Sequence, residues 1–273
     1  MRTEPVRPHQ RVILALGGHE FTRRRGNEAI RDYMLALADA GRPRICLLPT
    51  ASGDAEAQIF AFRRSLGELD CEPSHLSLFR LERERVRLEA HLLAQDLIYV
   101  GGGSMVNLIA IWRAHGLDRV LRAAWERGIV LVGQSAGAMC WFEAGITRSA
   151  GVATVRPGLG LVPGILSVHY HRDPVRREAL LAAVGRRGIL GYGLDDQAGV
   201  LIKGNVAAAA VNGRDEAGVW RVEPDGEGRA REIRLTPAPL PDPRPAIDEI
   251  ADDVAELRLV RATRPGQRDG LGR

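Results

Sequence analysis

From residue 11 onward the chain switches repeatedly between two hydrophobic periods. Residues 11–16 form a short apolar run ending in Gly17-Gly18, and residues 27–40 then carry apolar positions at helical spacing up to Gly41, with Pro43 beyond. This predicts a strand, a loop and a helix stopped by glycine. The alternation recurs as strand 45–48, helix about 55–69, a short strand about 76–79, helix 83–94 and strand 97–100, which runs into Gly101-Gly102-Gly103. Helices 105–115 and 118–127 follow, then strand 129–132. Strands alternating with helices predict an α/β fold with a doubly wound, mostly parallel sheet. Later, residues 191–196, 199–202, 207–211 and 219–222 read as short strands joined by Gly/Asn turns, an antiparallel edge on that same sheet. Residues 237–245 are rich in proline and exclude regular structure, and 247–259 return to a helical period before an Arg-rich tail. A single domain over 1–273 is expected, with its core at about 11–222 and residues 223–273 peripheral.

Composition removes several classes of protein. With 273 residues and 45% hydrophobic content, the chain can bury a sizeable core. No run approaches the ~18 apolar residues a membrane span needs, and residues 1–11 are polar with no apolar leader, so a soluble, cytoplasmic protein with no membrane partner is expected. Cys46, Cys71 and Cys140 are odd in number and lie in or beside apolar segments, which suits reduced core thiols rather than a disulfide framework or a zinc site. The net charge is +4, but arginines and acids are interspersed and Lys203 is the only lysine. Without a basic stripe interleaved with aromatics, no nucleic-acid partner is expected.

The candidate chemistry sits just after strand 129–132. Gly133-Gln134-Ser135-Ala136-Gly137 places a serine at a strand-to-helix turn, where glycines allow tight backbone angles and the hydroxyl projects from the sheet's carboxyl end. The helix it opens is expected to carry Cys140, Trp141, Phe142 and Glu143. A serine nucleophile needs a base, and the chain has seven histidines. Of these, His169 and His171 end the apolar run 161–168, on one face of an extended segment with Tyr170 opposite. Either can be the base, with the other a pocket wall. Between Ser135 and His169 the only acid is Glu143, which argues against the Ser, acid, His order of an α/β-hydrolase. Beyond His169 the acids are Asp173, Glu178, Asp195 and Asp196, and the last two end a strand, making Ser, His, Asp the most economical order. An oxyanion hole is available from the Ala136 amide together with the Gly101-Gly102-Gly103 loop. Gly17-Gly18 either shapes a substrate mouth or only ends its strand.

Gly101-Gly102-Gly103, Gly133-Gln134-Ser135-Ala136-Gly137-Ala138, Gly158-Leu159-Gly160-Leu161 leading to His169-Tyr170, and Gly193-Leu194-Asp195-Asp196 together resemble the peptidase E family of serine peptidases. That family includes cyanophycinases and has the class I glutamine amidotransferase-like fold. The resemblance runs to about Asn212. It implies Ser135 as nucleophile, His169 as base, Asp196 as the orienting acid, Gly103 and Ala136 as oxyanion donors, and Gly102, Ser104, His171 and Arg172 as substrate contacts. Arg172, Arg176 and Arg177 are candidates to recognise a substrate carboxylate. Two positions depart from the family, which usually carries Glu in place of Asp196 and Asn or Gln in place of Ser104. A shorter carboxylate must come from a closer backbone or act through water. The implied activity is cofactor-independent, metal-free hydrolysis of short peptides, aspartyl dipeptidase-like, by a monomer or homodimer. The alternatives are a cyanophycinase-like hydrolase of β-Asp-Arg and an inactive binding homologue.

Overall fold

The computed structural model describes residues 6–18, 28–80, 87–238 and 240. In chain order these form β1 (Val12–Leu16), α1 (Glu28–Leu37), β2 (Arg44–Leu48), α2 (Glu56–Leu66), β3 (Glu72–His75), α3 (Leu88–Leu93), β4 (Leu97–Val100), α4 (Met105–Ala114), α5 (Leu117–Glu126), β5 (Val130–Gln134) and the four-residue α6 (Ala136–Met139). There follow β6 (Phe142–Thr147), β7 (Thr154–Pro157), β8 (Val162–Val168), α7 (Pro174–Arg187), β9 (Gly191–Leu194), β10 (Ala198–Lys203), β11 (Val206–Asn212), β12 (Val219–Pro224) and β13 (Ala230–Leu235). Among the described residues, no helix is long and apolar enough to cross a membrane.

Seven strands make the first sheet, in the order β11-β10-β1-β5-β4-β2-β3. From β1 to β3 the neighbours are parallel, and β10 and β11 add an antiparallel edge. The strict alternation of side chains along β1 divides the core. Ile13 and Ala15 join Cys46, Ile98 and Leu131 beneath Leu108 and Trp112 of α4 and Leu121 of α5. Leu14 and Leu16 join Ile45, Tyr99 and Val132 beneath Ile30 and Met34 of α1 and Phe62 and Leu66 of α2. Burial on both faces explains why these strands read as continuous apolar runs. The result is the doubly wound α/β fold expected from the pattern.

The second half departs from expectation in its strand partners. A six-stranded sheet, ordered β13-β12-β9-β8-β6-β7, takes β9 and β12, so only β10 and β11 extend the first sheet. Within it β6, β8 and β9 run parallel, and α7 covers one face through Leu180 and Val184 packed on Ile146, Ile165 and Val222. β13 pairs with β12 along its whole length, from Ala230 to Leu235. The expected helix after Ser135 is only α6; Phe142 already begins β6, which puts Glu143 on a strand. Strand β3 lies at 72–75, ahead of the expected 76–79, where Leu76 and Leu78 are buried plugs instead. Being an edge strand paired only with β2, it tolerates Pro73 and needs little apolar character. The helical pattern at 247–259 lies outside the described residues.

Candidate active site

Strand order sets the site. β5 lies between β1 and β4, so Ser135 emerges at the carboxyl edge flanked by Gly17-Gly18 and by the glycine triplet, where open α/β sheets bind ligands. Ser135 has φ 53° and ψ −112°, a conformation an L-residue rarely holds unless its surroundings impose it. They do: its amide donates to the Leu16 carbonyl at 2.9 Å, and its own carbonyl accepts from Ala138 and Met139 at 3.0 Å. Tyr99 Oη donates to Gln134 Oε1 at 2.7 Å, fixing the residue before the serine. A Cβ on Gly137 would stand 2.3 Å from the Val100 carbonyl oxygen, so α6 can approach β4 only with glycine there.

His169 follows β8 with φ 55°, and its Nε2 lies 2.9 Å from Ser135 Oγ. On the other side of the ring, Nδ1 hydrogen-bonds Asp196 Oδ1. That partner fixes the tautomer, with Nδ1 donating to the carboxylate and Nε2 left to accept from the serine hydroxyl. Asp196 Oδ2 in turn accepts from Arg172 Nη1 at 2.9 Å. Ser135, His169 and Asp196 are therefore brought into one hydrogen-bonded path.

The other acids are occupied elsewhere. Asp173 accepts from the Arg176 amide as the N-cap of α7 and pairs with Arg148 and Arg176. Asp195 accepts from the amides of His171 at 2.7 Å and Gly218 at 3.1 Å, and burial raises its carboxyl above the ordinary range. Glu178 is exposed on α7, and Glu143 accepts from the Gly164 amide at 2.7 Å. Of the arginines considered for a substrate carboxylate, Arg176 pairs with Asp173 and Arg177 with Glu232, so both are committed to structural pairs. Cys140 is fully buried, which pushes its thiol well above the ordinary value and makes it a core residue.

Gly17-Gly18 does more than end β1. A Cβ on Gly18 would stand 2.5 Å from His169 Cε1 and 2.7 Å from Asp196 Oδ1; one on Gly17 would stand 1.8 Å from the Asp195 carbonyl oxygen. The missing side chains let the segment carrying Asp196 lie against β1, so an aspartate reaches the imidazole directly. Sequence reasoning missed this, although two glycines directly after a strand were the available signal. His19 and Glu20 lie outside the described residues.

On the opposite flank, a Cβ on Gly102 would be 3.3 Å from Ser135 Cβ, which sets the glycine loop beside the serine. Gln58 Nε2 donates to the Gly102 carbonyl at 3.3 Å and ties this loop to α2, a contact not anticipated from the sequence. Among the described residues, the amides of Gly103 and Ala136 donate to no protein acceptor. Ser104 Oγ accepts from the Asn107 amide at 3.2 Å and caps α4. The side chains of His171 and Arg172 lie at the exposed rim.

The model of Peptidase family S51 matches residues 13–209. The chain belongs to peptidase family S51. This is the peptidase E family anticipated from the motifs, and the S51 chain is a serine-type peptidase. It is 40% identical over 211 residues to the "Uncharacterized peptidase YgaJ" of Bacillus subtilis (strain 168), covering 77% of this chain and 91% of that protein. The crystal structure of a peptidase from an acI-B1 Actinobacterium superimposes with a TM-score of 0.63 at 18% identity, covering 84% of this chain and 95% of that one. The "Putative Peptidase E Protein" of Listeria monocytogenes EGD-e gives a TM-score of 0.52 at 16% identity, covering 83% and 99%. At such identities the two structures show a shared fold. Ser135, His169 and Asp196 all fall within the span matched to S51.

Proposed function

We propose that this S51 peptidase hydrolyses short peptides through an acyl-enzyme, with Ser135 as nucleophile, His169 as general base and acid, and Asp196 as the orienting carboxylate. The observation that carries this reading is the unbroken path from Ser135 Oγ through His169 to Asp196. His169 Nε2 takes the hydroxyl proton as Oγ bonds to the scissile carbonyl carbon, and Asp196 stabilises the imidazolium. The amides of Gly103 and Ala136, with no acceptor among the described residues, are the donors to the oxyanion. The C–N bond breaks as His169 returns the proton to the leaving amine. Water then attacks the ester with the same histidine as base, freeing the acid product and restoring Ser135. Every proton moves between substrate, water and this chain, so no cofactor or metal is required. Gly102, beside the serine, together with Ser104 and His171 are the proposed substrate contacts.

The substrate proposed first is an aspartyl dipeptide, with β-Asp-Arg as the alternative on the same machinery. A cytoplasmic location fits the three free, buried cysteines, and a monomer or homodimer is the proposed state. Ser135→Ala is expected to lower kcat by at least about 10⁴-fold with the fold retained. A fluorophosphonate probe should label wild-type Ser135. Aspartyl dipeptides, β-Asp-Arg and simple esters assayed side by side would separate the substrate classes. Undiminished turnover by Ser135→Ala would end the proposal, and peptide binding without labelling or turnover would favour an inactive binding homologue.

A further inference from the structure

We infer that Arg172 is a positioning residue: its guanidinium fixes the Asp196 carboxylate in the orientation that serves His169, and it is not a clamp for the substrate. The inference rests on the proposed roles of Ser135, His169 and Asp196. A carboxylate with one committed oxygen can rotate about its Cβ–Cγ bond and exchange its two oxygens. Asp196 has both committed, Oδ1 to His169 Nδ1 and Oδ2 to Arg172 Nη1 at 2.9 Å. Gly18 leaves no room beside Oδ1 for a side chain, since a Cβ there would stand 2.7 Å from it. Arg172 thus covers the solvent side: the Asp196 side chain is 16% exposed and that of Arg172 67%.

An exposed ion pair ordinarily contributes little, because ordering a long side chain offsets the Coulomb gain. Here the backbone on both sides of Arg172 is already held. The His171 amide donates to Asp195 Oδ1 at 2.7 Å, and the Asp173 amide donates to the His169 carbonyl at 2.9 Å. Base, arginine and the first residue of the acid's segment are therefore tied into one small unit, and the planar guanidinium fork adds direction that a point charge lacks. Partners that orient a functional ligand typically matter by about 10- to 100-fold when removed, as known for groups behind metal-bound histidines.

The decisive measurement is the rate at which a neutral fluorophosphonate labels Ser135, because that probe presents no peptide carboxylate for an arginine to bind. Relative to wild type, Arg172→Ala is expected to label about tenfold more slowly. It should also turn over peptide with kcat reduced by a similar factor and KM within about twofold, the signature of an interaction made in the transition state. Added guanidinium should restore much of the rate, and Arg172→Lys should recover part of it. Labelling at the wild-type rate, or a raised KM with unchanged kcat confined to substrates bearing a carboxylate, would overturn the inference and leave the roles of the other three residues standing. Failure of wild-type Ser135 to label at all would instead remove those roles and this inference with them.

Discussion

Gly18 contributes to the site by what it lacks. Its Cα faces the His169–Asp196 pair so closely that one added methyl would lie 2.5 Å from the ring. Gly18→Ala is therefore expected to displace the imidazole from Ser135 and lower kcat/KM by about 100-fold, as misplacement by about 1 Å can. Circular dichroism should be unchanged; wild-type kinetics would show that the pair yields without cost. The edge positions of Ser135 and His169 were legible in the sequence because one lies just past the apolar run 129–132 and the other follows 161–168, although the pattern left His171 open beside His169. Between Asp195 and Asp196 the residue pattern left both open, and only the family resemblance pointed to Asp196. Adjacent residues in one loop point different ways, and which carboxylate meets His169 depends on how that loop lies against β1. The same limit hid Tyr99 and Gln58, whose partners lie 35 and 44 residues away.

At the scale of elements, the loop that carries His169 is anchored by a hairpin beyond the S51 span. Tyr170, between His169 and His171, donates its hydroxyl to Glu232 of β13 at 2.5 Å, and Arg177 of α7 pairs with the same carboxylate. Arg177 above all, aided by Tyr170, holds the Glu232 carboxyl below its ordinary range against the opposing effect of burial. A depressed carboxyl stabilises the fold fully above its unfolded value, and that contribution is lost as pH falls through the folded value. Glu232→Gln should therefore cost about 1 kcal/mol at neutral pH, allowing for the exposed arginine, and the difference from wild type should vanish on acidification. Urea unfolding at a series of pH values measures this; a difference that persists in acid would assign it to packing. The hairpin was half visible: β12 was expected as a strand, whereas β13 alternates charged with apolar residues too sparsely to stand out. Nor could β9 and β12 be assigned to a second sheet, since strand partners are chosen by contacts between segments far apart in sequence.

For the molecule as a whole, burial keeps its thiols silent. Desolvation pushes Cys46 up to about 12 and raises Cys71 and Cys140 as well, so all three remain neutral thiols at mildly alkaline pH. Folded protein is expected to react negligibly with a disulfide reagent at pH about 8, and unfolded protein to reveal three thiols. Rapid modification of the folded protein would contradict a sealed core. The sequence by itself determined the repeating strand and helix of the first half, the reduced cysteines and the serine turn, because hydrophobic period, glycine placement and composition act over a few residues. Tertiary structure alone decided the division into two sheets, the contact of Asp196 with the His169 ring, the closeness that Gly18 permits, and the pairing of Arg172 with Asp196. Each of those depends on the packing of surfaces that no local pattern brings together.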